Sequence, residues 1–340
     1  MITNRKSYVL RGLAMIIVVA SHYTEWWPYT GGTMTPLMER ISAWGPLGVD
    51  IFFLMSGYGL VKSAYKGAER AYGVKPSDNG YKIRAGISRD FVFKRLMGSY
   101  IPYLIIVGII NTLGGSWAEA DADFIRDYLV GNSYWFMNVI FIIYILFVLI
   151  YKLDIFRIPL ISLGIIGMTA IFFKLGRNDF WMLSNMAFLL GIYAAEAEER
   201  FTKEKLSAIK LPIILLIIGI IGTAICSYGL SYISLKYENG KFICELILNA
   251  FFTLAVYGVA VLLPDVKLLG LHGIGKNSLF IYLMHTFIYW KFAWKLAEKP
   301  FVMAAIAEFI IAAVISYIIG ETYNSLSGEI IKRVTTKREK

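Results

Sequence analysis

The chain has 340 residues, of which 57% are hydrophobic and only 17% charged, against roughly a quarter charged in soluble domains. Together with a mean hydropathy of +0.60, this excludes a soluble globular domain. The net charge of +10 would point to nucleic acid in a soluble protein, but in a chain this apolar it reports membrane orientation, and no nucleic-acid partner is expected.

Apolar runs of roughly 17 to 22 residues recur from end to end, each long enough to cross a bilayer as a helix. The expected fold class is all-α, a polytopic integral membrane protein. Ten spans in one bundle are predicted at about 8–26, 46–64, 97–114, 135–151, 158–174, 180–195, 211–229, 245–263, 276–293 and 301–320. The gaps are too short for another folded unit, so 1–340 reads as a single transmembrane domain with a short basic tail at about 321–340. The first span is long enough to cross and has no small-residue cleavage site after it, so it is expected to stay as a working helix rather than a signal peptide. With the N-terminus inside, 25 of the 34 Lys and Arg residues fall in inner segments and nine outside. The positive-inside rule then predicts that both termini are cytoplasmic.

The first span contains RGLAMIIVVASH, with Arg11 and His22 at its ends. Eleven residues give a rise of about 16 Å and return within about 20° of the same helix face. One stripe therefore carries a permanent cation near the inner surface and an imidazole in the outer half of the bilayer. A polar ring at that depth is costly in lipid, so His22 is expected to face the bundle interior. The second span begins WGPLGVDIFFLMSGYGL, and its Asp50 lies at the same expected depth as His22. A His22–Asp50 pair would fix the imidazole tautomer and make the other nitrogen a general base; the alternative is a helix-end carboxylate.

The longest polar stretch, 62–95, holds nine basic residues. It has two open readings: an inner-leaflet segment bound to anionic membrane lipid, or a site for a phosphorylated cofactor built from Arg11, Arg89, Lys94 and Arg95. There is no P-loop and no GxGxxG after a strand. No His/Cys cluster has metal-ligand spacing, so no metal is expected.

Beyond the third span, WAEADADFIRDYLVGNSYWFMNV (Trp117 to Val139) reads as an acidic outer stretch, and Asn111, Asn138, Asn185 and Asn249 read as helix-packing amides. Cys226 and Cys244 both fall near the outer surface, where a disulfide is one option and two free thiols the other. All eight tryptophans, including Trp26, Trp27, Trp135, Trp290 and Trp294, fall near outer span ends. An aromatic belt normally occupies both interfaces, so the one-sidedness points to a platform for sugar rings as well. In the ninth span His285, and in the tenth Glu308, lie at matching depth and are each other's expected partner. Trp26, Trp27, Trp135, His285 and Glu308 form the expected substrate-binding set, and His272 is expected to be a solvated loop residue.

At these residues the chain resembles the membrane-bound acyltransferase-3 family. The resemblance is carried by Arg11 to His22, by GVDIFFLMSGY (Gly48 to Tyr58), by YWF (Tyr134 to Phe136) and by SLFIYLMH (Ser278 to His285), in family order over nearly the whole chain. It implies an enzyme of the inner (cytoplasmic) membrane of a bacterial-type cell. Such an enzyme takes an acyl group, acetyl or succinyl, from cytoplasmic acyl-CoA to a hydroxyl of a cell-envelope or exopolysaccharide carbohydrate. Arg11 and His22 match the family's essential pair. One departure is Gly98, which stands three residues after Arg95 where family members often carry a second arginine. The expected catalytic set is therefore His22, Asp50 and Arg11, with His22 as general base or, as a variant, as an acyl-histidine relay. A transporter or flippase of a lipid-linked glycan is the alternative, against which stand the lack of an internal repeat and of Gly/Pro-interrupted span pairs. A sensor or scaffold with a decayed site is a third reading, and a homodimer is left open.

Overall fold

The computed structural model describes residues 1–73, 83–132, 134–153, 156–200, 210–233, 240–296 and 299–336. Parts of the expected inner segments, 74–82 and 201–209, and the tail 337–340 lie outside them. Among the described residues there is no strand. The helices are α1 (Asn4–Trp26), α2 (Pro36–Ser42), α3 (Gly45–Tyr72), α4 (Arg89–Arg95), α5 (Ile101–Gly114), α6 (Ala122–Val130), α7 (Trp135–Leu153) and α8 (Arg157–Lys174). They continue with α9 (Asn185–Arg200), α10 (Leu211–Ile233), α11 (Gly240–Leu262), α12 (Leu269–Lys276), α13 (Ser278–Leu296) and α14 (Phe301–Thr336).

Nine helical segments among the described residues are long and apolar enough to cross a membrane, and they coincide with nine of the ten expected spans. The protein is multi-pass. The remaining expected span is α13, which has helical length but carries His285, Lys291 and Lys295. His285 is tolerated because it is buried with Phe280, Ile281, Leu283, Met284, Ile288 and Tyr289, while Lys291 and Lys295 are exposed in the last two turns. A helix face wrapped by protein does not need a lipid-compatible surface.

The bundle is assembled on glycine contacts. A side chain at Gly48 would meet the Ala14 carbonyl and Val18, and one at Gly57 or Gly191 would meet the facing backbone, the Phe188 or Leu54 carbonyl. The missing Cβ atoms let α3 lie almost backbone to backbone against α1 on one side and α9 on the other. Gly12 and Gly275 do the same for α1 and α12, through the Leu271 and Tyr8 carbonyls. We predict that Gly191→Val separates α3 from α9 and destabilises the fold by about 1–3 kcal/mol or more. Thermal unfolding in detergent measures this, and an unchanged melting temperature would contradict the packing described.

At the end of the bundle holding the N-terminus, the C-terminal turn of α9 carries two buried carboxylates. Glu196 accepts from Arg157 (Nε 3.0 Å, Nη2 3.2 Å), Tyr65 (2.9 Å) and Tyr151 (3.1 Å). Glu198 accepts from Tyr58 (2.6 Å) and Tyr257 (3.0 Å) and pairs with Lys62 (3.1 Å). These bonds tie α3, α7, α8, α9 and α11 together.

Part of the acidic stretch after the third expected span is helical. Its helix α6 folds back along α5, where Tyr103 donates to the Tyr128 carbonyl (2.5 Å), Tyr100 to the Leu129 carbonyl (3.0 Å), and Tyr128 to the Leu104 carbonyl (2.6 Å). Asn138 of α7 donates to the Val130 carbonyl (2.9 Å). The last three carbonyls of α6 thus each find a side-chain donor, as a helix end away from water requires. α7 consequently starts deep in the bundle, with the Tyr134 hydroxyl on the Leu283 carbonyl of α13 (3.2 Å). Alternation of apolar and charged residues in ADFIRDYLV does not tell a surface helix from a returning one.

α10 and α11 pack on each other at the periphery, with Gly219 against the backbone of Phe251 and Ala255. Cys226 and Cys244, one on each, are free thiols. His272 of α12 stacks edge-on against Tyr8 (5.0 Å). Partial desolvation, then Lys267, Lys276 and Arg5, hold its imidazole below the ordinary range.

Candidate functional site

α1 and α13 bring together the two membrane histidines. His22 Nδ1 lies 2.8 Å from His285 Nε2, and the rings are parallel within 6° with centroids 5.0 Å apart. They therefore meet edge to edge. His285 Nδ1 faces the Tyr282 carbonyl at 2.7 Å and the Ile281 carbonyl at 3.2 Å. A carbonyl only accepts, so in the neutral ring the hydrogen sits on Nδ1 and Nε2 keeps its lone pair. Nε2 then accepts from His22 Nδ1–H, which leaves His22 Nε2 as the free basic nitrogen. Two backbone carbonyls thus set the tautomer of both rings, the role often given to a carboxylate. Trp26, one turn on from His22, covers both imidazoles, with centroids at 4.9 Å and 5.9 Å and planes within 17°.

The expected His22–Asp50 and His285–Glu308 pairs are replaced by this single His22–His285 contact. Equal depth does not fix rotation about the helix axis. Asp50 is on the face of α3 turned to α9, fully buried, with Ser184 facing it outside hydrogen-bond geometry and no bonded partner for either oxygen. Glu308 is also buried, within electrostatic range of Tyr23 and Tyr289. Tyr23 and Tyr289 are themselves ring neighbours (5.0 Å), and Tyr23 lies 6.4 Å from His285.

The expected aromatic set divides. Trp27 is buried in a satellite core with Met38, Ala304 and Phe301, away from the histidines. Trp135 packs on Phe180 (5.1 Å) and Phe136 (6.2 Å), and Phe136 in turn reaches Tyr282 (5.1 Å). Trp26 continues outward to Trp290 (5.9 Å) and from there to Tyr29 (6.5 Å), both exposed. The Trp294 side chain lies outside the described ones.

Towards the N-terminal end of α1, a cavity of about 180 Å³ is lined by Arg11, Lys94 and Arg95 at one end and by Val18, Phe136 and Tyr282 at the other. Three of the four expected cofactor residues therefore share one space; Arg89 is exposed and does not line it. Among the described residues none of the three cations is in an ion pair. Arg95 donates to the Ser63 hydroxyl (2.6 Å) and lies over the Phe91 ring (5.2 Å). It is followed by a π-helical turn, Leu96–Tyr100, because Pro102 has no N–H to close the regular bond onto Gly98. Ser278 and Leu279, the first residues of α13, also line the cavity, so a helix N-terminus adds its partial positive charge. The cavity ends on Tyr282, whose carbonyl holds His285 Nδ1.

A family described as an acyltransferase domain matches residues 8–321. The chain belongs to the acyltransferase-3 family. No curated protein and no solved structure matches it significantly. Family membership and the nine apolar helices among the described residues make the chain a multi-pass member of an acyltransferase family. Sequence reasoning missed three parts of the site: the His–His contact, the Tyr282 carbonyl and the start of α13. The spacing in SLFIYLMH did hold one signal, since a helical histidine has the carbonyls three and four residues back within reach of Nδ1.

Proposed function

We propose that the protein moves an acyl group from acyl-CoA on the cytoplasmic side to a hydroxyl on the opposite side of the membrane. In this reading both termini are cytoplasmic, 1–340 is one catalytic domain, and the donor is acetyl-CoA or succinyl-CoA. The acceptor is a carbohydrate of the cell envelope. The observation that carries the reading is the cavity with three unpaired cations at one end and, at the other, the residue whose carbonyl orients the histidine pair.

The donor's phosphates are held by Arg11, Lys94 and Arg95, with guanidinium groups matching phosphate oxygens. Its pantetheine arm follows α1 towards His22, about 16 Å away by helix rise. The acceptor sugar stacks on the Trp26, Trp290 and Tyr29 rings, and its hydroxyl reaches His22 Nε2. That nitrogen takes the hydroxyl proton as the oxygen attacks the thioester carbonyl carbon. The C–S bond breaks, and the departing CoA thiolate receives the proton from His22, giving the ester and free CoA. His22 Nδ1–H stays on His285 throughout, so the imidazolium formed in the step is stabilised by a bond already made.

The test is CoA release and acyl transfer by protein purified in detergent, with each donor and an envelope glycan acceptor. Arg11→Gln should raise the KM for acyl-CoA by about tenfold or more, the value of one charged hydrogen bond, while kcat changes little. No transfer by wild type with either donor, together with transport of a lipid-linked glycan, would replace this reading by that of a carrier. Labelled acyl-CoA without acceptor separates the variants of the chemistry: stable label on the protein means an acyl-histidine relay.

A further inference from the structure

A second and larger cavity, about 650 Å³, lies between α7 and the stretch made of α4 and the π-helical turn that follows it. It is lined mainly by apolar side chains, among them Phe91, Val92, Leu96, Ile145, Val148 and Leu149. Its volume is that of a ligand site, for which about 300–1,000 Å³ is usual. One end is roofed by Leu129 and Val130 of the returning helix α6, whose carbonyls are held by Tyr100 and Asn138. The roof is therefore a bonded structure and not a chance gap. Along α7 the lining runs from Asn138 at the roof to Leu149, a helix rise of about 16 Å, one leaflet's share of a hydrocarbon core about 30 Å thick. No carboxylate lines the groove, and Arg95 and Ser99 stand where it meets the small cavity, with Tyr144 completing the shared wall.

An apolar groove about one leaflet long, roofed at one end and with a cation where it meets the small cavity, has the complementarity of an amphiphile with an anionic head. We propose that this groove holds one hydrocarbon chain of an anionic glycerophospholipid from the leaflet at the basic end, its phosphate bonded to Arg95. Arg95 uses one donor on Ser63 and keeps others free for phosphate oxygens. The lipid then forms the outer side of the wall that separates the small cavity from the membrane. Because Arg95 also faces that cavity, the lipid phosphate and an anion inside it meet at the same guanidinium.

The test is native mass spectrometry of the full chain released from detergent after incubation with equal amounts of phosphatidylglycerol and phosphatidylcholine bearing the same acyl chains. Wild type should retain one phosphatidylglycerol in about tenfold preference over phosphatidylcholine, as one charge-assisted bond gives. Ile145→Trp fills the groove without touching the small cavity, so it should lose the retained lipid while keeping the wild-type melting temperature. Equal retention of the two lipids, or equal retention by wild type and Ile145→Trp, would overturn the proposal. So would displacement by palmitoyl-CoA without any headgroup preference, which would assign the groove to a donor's acyl chain. The readout is bound lipid, so it stands or falls separately from acyl transfer.

Discussion

His22→Ala should lower acyl transfer by about 10²–10⁴-fold, the usual contribution of a positioned general base, while the KM for acyl-CoA stays near wild type. His22 Nε2 is the nitrogen of the histidine pair whose lone pair stays free in the neutral state, because the Ile281 and Tyr282 carbonyls take the His285 Nδ1 hydrogen and the lone pair of His285 Nε2 accepts from His22 Nδ1–H. The same geometry separates the roles of the two rings. His285→Ala leaves a base in place but frees its tautomer and orientation, so a smaller loss in kcat is expected, again with little change in KM. Asp50→Asn should leave kcat close to wild type, since the carboxylate bonds to neither ring. If Asp50→Asn were as damaging as His22→Ala with the fold intact, the carboxylate and not the backbone would be the orienting group. If His22→Ala retained wild-type turnover, the histidine pair would be an interhelical bond and nothing more.

Arg157→Ala should cost about 3–5 kcal/mol of stability, the penalty for stranding a buried charge. Glu196 is nearly inaccessible and depends on both guanidinium bonds from Arg157 as well as on Tyr65 and Tyr151. The double change Arg157→Leu with Glu196→Leu removes both charges from the buried site and should recover much of the loss, as replacement of a buried pair by apolar groups often does. Thermal unfolding in detergent of Arg157→Leu, Glu196→Leu and the double change closes the cycle and gives the coupling. Additive losses would mean that Arg200, 3.4 Å from Glu196, already satisfies the carboxylate. Such a network was not legible beforehand. In AEAEER the alternating acids look like a solvated helix end, and only the convergence of α3, α7, α8 and α11 makes positions 196 and 198 interior.

Other parts were legible because they depend on local physics. Span positions follow from apolar length, which is a property of the chain itself, and nine of the ten expected helices satisfy it. That Arg11 and His22 share one stripe follows from helix periodicity, and Arg11 and Val18, on that helix, do line a single cavity beneath the histidines. Of the four basic residues expected at one depth, Arg11, Lys94 and Arg95 line one cavity and Arg89 does not.

What sequence alone determined is therefore the one-dimensional content: which segments are apolar helices, how deep each polar residue lies, and which family motifs they compose. Depth is a coordinate along the helix axis, and the chain's periodicity fixes it. Tertiary structure decided the angular coordinate and the folding back of chain between spans. Rotation of α1 and α13 about their axes turned His22 to His285, and rotation of α3, whose Gly48 faces α1 and whose Gly57 meets α9 opposite Gly191, left Asp50 facing α9. The return of α6 depended on side-chain donors 25 to 29 residues back along the chain, a pairing that no local pattern encodes. Contacts between segments distant in sequence arise from packing of whole faces, and that information exists only once the bundle is closed.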